Sequence, residues 1–158
     1  MNSSNSPWNF AKDYDKFHSP DIAKWIEYAD LHEVDQGGPL AGALALLYVD
    51  KGVIISDWAG GPPVWDETGR RLAFPLWETT LFKGRFQRIA IIDTKEETIT
   101  VFAEKFEVLK LERLIGTFIY GFDSALHQEK KVCFDTSIAE VETVKKFRTE
   151  ERKLFADK

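Results

Sequence analysis

The stretch that decides the fold is VIISDWAGGPPVWDETGRRLAFP, residues 53–75. Its first part, Val53–Trp58, is apolar and β-branched, which is typical of a strand. Residues 60–63 (GGPP) end any strand ladder, because proline has no N–H to donate and glycine tolerates unusual backbone angles. After a turn that includes Gly69, alternating apolar residues resume until Pro75, where we expect the strand to stop. The stretch predicts a strand, a rigid loop and a hairpin within a sheet.

Two tryptophans and two aspartates flank this loop. Trp58 and Trp65 either cover the open end of the sheet's core or are presented to a partner, for which tryptophan is a preferred anchor. Asp57 and Asp66 could serve as an acid/base pair if the fold brought them together, because carboxyl groups in unlike environments can divide these roles. Their positions beside turns favour backbone capping instead.

The composition indicates one domain with a real core. The chain has 158 residues, of which 44% are hydrophobic and 13% aromatic. We expect residues 1–18 to be an N-terminal extension docked on the core and residues 19–158 to form a single domain. The lone Cys133 excludes an intramolecular disulfide and a cysteine-rich zinc site, and it is expected to be an inert buried thiol. With no long apolar run and no export signal, the sequence predicts a cytoplasmic protein that does not bind a membrane.

The negative charge is concentrated in Asp13–Asp35. This segment carries seven acidic side chains and two basic ones, while the rest of the chain has nineteen of each. A solvated acidic face is one interpretation, and a surface that attracts a basic protein partner is the other, since clustered charge accelerates association. Nucleic acid is disfavoured as a ligand because no basic stripe exists.

A helix is predicted near each end of the chain. Ser19, Pro20 and Asp21 are typical of a helix N-terminus, so we expect a helix over Pro20–Leu31. Its apolar face would consist of Ile22, Trp25, Ile26 and Ala29. Ser137 followed by Glu140 is typical of a capping box, and apolar residues then recur at helical spacing over Ile138–Ala156.

Short apolar segments between these helices predict strands. Leu44–Val49 and Val53–Trp58 should form a hairpin, as should Phe86–Asp93 and Thr98–Ala103, with Ile89 and Ile91 facing Ile99 and Val101. Further strands are expected at Leu76–Phe82, Phe106–Leu111, Thr117–Phe122 and Lys131–Asp135. The predicted fold is α+β, with a mostly antiparallel, strongly curved sheet of about six to eight strands and the N-terminal and C-terminal helices packed on it.

The sequence contains no catalytic motif. His18, His32 and His127 are not spaced with Cys133 or a serine as a nucleophile and its base would be. His32, Glu33 and Asp35 could offer three metal ligands, but they lie together beside a Gly-Gly-Pro break, where a solvated segment is the simpler interpretation. We therefore predict a protein that is not an enzyme, with no cofactor and no metal.

In layout, the chain resembles bacterial polymorphic-toxin immunity proteins: it is small, acidic and tryptophan-rich, with DWAGGPPVWD followed by GRRLAFP. The resemblance covers Trp25–Phe122 and is one of overall style. It implies a non-catalytic protein that neutralises a cognate toxin, a basic one, by direct contact. The residues predicted to bind the partner are Asp30, Glu33, Asp35, Asp57, Trp58, Trp65 and Asp66. The alternative is a small-molecule binding module or enzyme with a cavity inside the curved sheet, which is weakened because the inward positions look apolar.

Overall fold

A computed structural model of the chain describes residues 6–82, 84–125 and 128–151. Every regular element in these ranges is a strand and none is a helix. The predicted α+β class is therefore wrong, and the fold is all-β. The strands are β1 (Phe17–His18), β2 (Lys24–Glu33), β3 (Leu40–Tyr48), β4 (Lys51–Ala59), β5 (Val64–Trp65), β6 (Arg71–Thr80), β7 (Gly84–Asp93), β8 (Thr98–Phe102), β9 (Leu109–Ile115), β10 (Phe118–Ala125), β11 (Gln128–Asp135), β12 (Val141–Lys146) and β13 (Glu150–Glu151).

Ten of the strands form one antiparallel sheet in the order β1-β2-β3-β4-β6-β7-β8-β12, with β5 attached to β6 and β13 to β4. The antiparallel prediction is confirmed. The sheet bends back on itself, because β12 pairs with β8 while β13, a few residues later, pairs with Lys51 and Gly52 of β4. Between its single pair with β6 at Ala59 and its pairs with β13 at Gly52 and Lys51, the edge of β4 has no paired strand. The sheet therefore has a gap between β4 and β12.

Two hydrophobic cores lie on the two faces of this sheet. The first is inside the bend and includes Ile26, Leu44, Leu72, Phe74 and Ile92. The second lies between the outer face of β6, β7 and β8 and a small sheet with the order β11-β10-β9. Its members are Ala73, Ile89, Ile91, Phe102, Phe106, Leu109, Leu111, Leu114, Ile119 and Phe134.

Strand β7 lies between the two cores and contributes side chains to both. The predicted hairpin with β8 is confirmed, but Ile92 pairs with Ile99 and Ala90 with Val101. Ile89 and Ile91 point to the second core instead. The predicted facing pairs were wrong because β7 is apolar on both faces, so alternation alone does not say which face meets which core.

The predicted N-terminal helix is strand β2. Ile26 and Tyr28 alternate into the first core, a period-2 pattern that was available beside the helical one. The apparent helix cap is a tight turn: the backbone N–H of Ile22 donates to the Ser19 carbonyl, and the Asp21 carboxylate accepts from the Ser19 hydroxyl. Serine, proline and aspartate are favoured in turns for the same local hydrogen bonds that make them good caps.

The predicted C-terminal helix is also wrong within the described residues, and its last part, residues 152–156, lies outside them. Ser137 donates to Asp135 in a turn, and β12 then pairs with β8. Three of the six residues of β12 are β-branched, which favours a strand. Phe147 nevertheless packs against the first core, from the segment that follows β12.

Two further local expectations are wrong. Pro75 does not end its strand, since β6 continues from Arg71 to Thr80. The Pro75 carbonyl accepts from Gly60 N–H at 2.8 Å, so this edge of Pro75 faces the gap between β4 and β5. The proline nitrogen lies on the same edge, so no hydrogen bond with β7 is lost. Cys133 is exposed and not buried, because its neighbour Phe134 takes the core-facing position of β11.

Candidate protein-binding surface

The β6–β7 hairpin ends in two exposed apolar side chains. Leu81 is 95% exposed and Phe82 is 96% exposed, the two highest values among the large hydrophobic residues of the described chain. Both lie in the turn, where strand alternation no longer directs a side chain inward. Adjacent exposed leucine and phenylalanine side chains are costly to hydrate and are typical of a contact surface.

The acidic β2–β3 loop lies against this hairpin. The Asp35 carboxylate forms an ion pair with the Arg85 guanidinium at the start of β7. Within the loop, Gly38 N–H donates to the Asp35 carbonyl at 2.7 Å and Gly37 N–H donates to the Glu33 carboxylate at 3.0 Å. These bonds fix the loop next to the apolar tip. We call Glu33, Asp35, Leu81, Phe82 and Arg85 the tip surface.

A pair of tryptophans stands at the base of the tip surface. Trp77 is buried on β6 and donates its indole N–H to the Leu40 carbonyl at 3.3 Å. Trp58 is half-buried and packs on Trp77 with ring centroids 5.9 Å apart. Since Leu40 pairs directly with Glu33 in the sheet, these rings tie β4 and β6 to the strand end that carries the acidic loop.

The structure therefore brings together five of the predicted binding residues. Asp30, Glu33 and Asp35 follow one another at the end of β2 and in its loop, and all three are exposed. Asp30 has a φ of 57° in a β-bulge of this strand. The other two, Trp58 and the exposed Asp57, border the same end of the sheet on β4.

The remaining two predicted residues lie elsewhere. Trp65 packs against the first core and donates its indole N–H to the Phe17 carbonyl at 2.9 Å. Asp66 is 3% exposed and accepts from the backbone N–H groups of Arg70 and Arg71 as well as from the Thr68 hydroxyl. The structure therefore separates Asp66 from Asp57 and makes it the capping residue of its turn.

The loop of residues 60–63, between Trp58 and Trp65, packs against side chains of the first core. The Tyr28 hydroxyl donates to the Gly60 carbonyl at 2.7 Å. A side chain at position 61 would overlap the ring of Phe10, which explains the glycine there. The loop closes one end of the first core.

The acidic segment Asp13–Asp35 is divided by β2. The ten residues of β2 extend over about 30 Å, so the two ends of this strand carry separate groups of acids. At one end, the Asp13 carboxylate accepts from Leu31 N–H at 2.9 Å, near Asp30. At the other end, hydrogen bonds from the Ser19 hydroxyl and the Ala23 N–H, with the nearby Lys24 ammonium, lower the pKa of Asp21. Only the first group belongs to the side of the tip surface.

The three candidate metal ligands have separate contacts. His32 Nδ1 lies 2.9 Å from the Asp30 carbonyl, Glu33 accepts from Gly37, and Asp35 pairs with Arg85. No cluster of three potential ligands is found within residues 6–82, 84–125 and 128–151. His127 lies outside the described residues.

Sequence reasoning missed Leu81, Phe82 and Arg85. Leu81 and Phe82 were included in a predicted strand, Leu76–Phe82, that in fact ends at Thr80. The signal that could have found them is their place immediately before Lys83-Gly84, since glycine indicates a turn and two large apolar residues in a turn have no core to enter.

Within the described residues, no helix is long and apolar enough to cross a membrane. Comparisons of the chain with protein-family models, curated proteins and solved structures found no match.

Proposed function

We propose that this protein is a non-catalytic binding protein of the cytoplasm that neutralises a cognate toxin domain by covering it, and that it does so with the tip surface. The observation that carries the proposal is the nearly complete exposure of Leu81 and Phe82 beside a loop held in place by the Asp35–Arg85 ion pair. The resemblance in layout to polymorphic-toxin immunity proteins supports the choice of a toxin as the partner.

The apolar tip supplies the contact energy in this proposal. Burying a leucine or phenylalanine side chain against a partner yields about 1.5–3 kcal/mol each. The tip is held by the ten-residue strands β6 and β7, so little backbone freedom is lost when it binds. An anchor of this kind slows dissociation.

The acidic residues supply the rate. Asp30 and Glu33 lie at the rim, where exposed charges attract a basic partner before contact, whereas the charge of Asp35 is balanced by Arg85. They add little to the lifetime of the complex because water and salt screen them.

The test is surface-plasmon kinetics against the protein encoded by the neighbouring gene, at two salt concentrations. We expect the double substitution Leu81→Ser and Phe82→Ser to speed dissociation by about a hundredfold or more, since each factor of ten corresponds to about 1.4 kcal/mol. Asp30→Asn with Glu33→Gln should slow association and flatten its salt dependence.

Matched controls lie outside the tip surface. Ile138 is 83% exposed, so Ile138→Ser removes a similar apolar side chain outside the tip surface and should leave both rates unchanged. Glu104→Gln with Glu129→Gln removes two exposed acids elsewhere. The proposal is wrong if no complex forms, or if the controls weaken binding as much as the tip variants do.

A further inference from the structure

A cavity of about 280 Å³ opens in the wall of the main sheet between β4 and β12. Its floor is apolar and formed by inward-facing side chains of the first core and its border: Ile55, Phe74, Leu76, Ile99 and Val101. The gap exists because the edge of β4 away from β3 pairs with β6 only at Ala59 and with β13 only at Gly52 and Lys51. The volume is near the lower end of small-molecule sites.

The mouth of this cavity carries two carboxylates with a common partner. Glu78 and Glu142 line the mouth, and behind them the Arg88 guanidinium is only 10% exposed. Arg88 Nε donates to Glu78 at 2.9 Å, while Arg88 Nη1 donates to the Ala103 carbonyl and lies 3.8 Å from Glu142. The sequence-based expectation that the inward positions are wholly apolar is therefore wrong.

The carboxylates are open to a ligand and the guanidinium is not. Glu78 is 33% exposed and Glu142 is 48% exposed, against 10% for Arg88. Arg88 neutralises part of their charge but uses its described hydrogen bonds on the protein itself. A molecule entering the cavity thus meets acceptor oxygens above an apolar floor. Among the described residues, Lys145 is the one further charged side chain in the lining, and its ammonium would compete with a cationic ligand for the same oxygens.

We propose that this cavity binds a small organic cation, a primary amine or amidinium carried on an apolar body about the size of one aromatic ring. The apolar body would occupy the floor against Phe74 and Val101, and the cationic head would donate hydrogen bonds to Glu142 and Glu78. This proposal does not rest on the partner proposed above, and the described lining of the cavity shares no residue with the tip surface.

The test is an NMR titration of the purified protein with phenethylamine, followed through the methyl signals of Ile55, Leu76, Ile99 and Val101. The neutral 2-phenylethanol and the anionic 3-phenylpropionate carry the same ring and serve as matched ligands. We expect saturable shifts with the amine and no binding of the acid. The alcohol should bind at least about tenfold more weakly than the amine, because a charge-assisted hydrogen bond is about twice as strong as a neutral one.

Two exposed side chains separate the charge effect from folding. Glu142→Gln should weaken amine binding by about tenfold and leave the alcohol unaffected, whereas Lys145→Gln should strengthen amine binding. Both variants should keep the spectrum of the folded protein. The inference is overturned if the amine shifts do not saturate or map elsewhere, if the alcohol binds as well as the amine, or if Glu142→Gln changes nothing.

Discussion

Asp57 and Asp66 show how two similar residues acquire different roles. Each flanks the Gly/Pro loop in the sequence, and both were candidates for capping. The capping interpretation is confirmed for Asp66, which accepts from Arg70 and Arg71 N–H and lies 3.3 Å from Arg71 Nε. Asp57 is exposed on β4. A sequence indicates that an acid lies beside a turn, but burial depends on the strands packed around it.

This difference predicts unequal stability losses. Asp66→Ala should lower the free energy of unfolding by about 1–3 kcal/mol, because the half-buried N–H groups of Arg70 and Arg71 lose an acceptor and the Arg71 guanidinium loses its carboxylate partner. Asp57→Ala, the matched control, should change it by less than about 0.5 kcal/mol. Urea melts of both variants measure the two losses. Equal losses would show that the Asp66 bonds are not stabilising.

Strands and turns differ in how well the sequence predicts them. The hairpin of β3 with β4 and that of β7 with β8 could be predicted because glycine and charged residues mark their turns. The two helices could not be excluded, because Ser19 and Ser137 form local hydrogen bonds that serve a turn as well as a cap. Strand pairing decided both cases: β2 joins β1 and β3, its neighbours in the chain, whereas β12 joins the distant β8, a pairing that leaves no local signal.

The β7–β8 turn predicts a dependence on pH. Burial alone would raise the pKa of Asp93, but hydrogen bonds from Arg70 and from the N–H groups of Glu96 and Lys95 outweigh it and hold the pKa below 3.8. A carboxyl group whose pKa is lower in the folded state stabilises the protein above its unfolded pKa. That contribution is lost as the pH falls through the folded pKa.

We therefore expect the free energy of unfolding to decrease from about pH 5 downward, and Asp93→Asn to make this decrease shallower. Urea melts between pH 6 and pH 2.5 test it, with the exposed Asp57→Asn as control. A slope that Asp93→Asn leaves unchanged would contradict the assignment.

At the scale of the whole molecule, one bent sheet serves two cores. Sequence periodicity predicted an antiparallel sheet, but it could not predict that β7 would be buried on both faces or that β13 would pair with β4. The tip surface lies where β6 and β7 continue past their last pairs with neighbouring strands, Leu76 with β4 and Ala90 with β8. The β6–β7 hairpin extends beyond the end of the paired strands, and the β2–β3 loop reaches it through Asp35 and Arg85.

The central claim is that the apolar tip and the acidic loop act as one binding surface. The most direct measurement is amide hydrogen exchange of the protein, free and bound to the protein encoded by the neighbouring gene. We expect binding to slow exchange in the β2–β3 loop, residues 33–40, and in the hairpin, residues 78–86, and to leave β9, β10 and β11 unchanged. Slower exchange confined to the three-stranded sheet, with the loop and the hairpin unaffected, would contradict the claim.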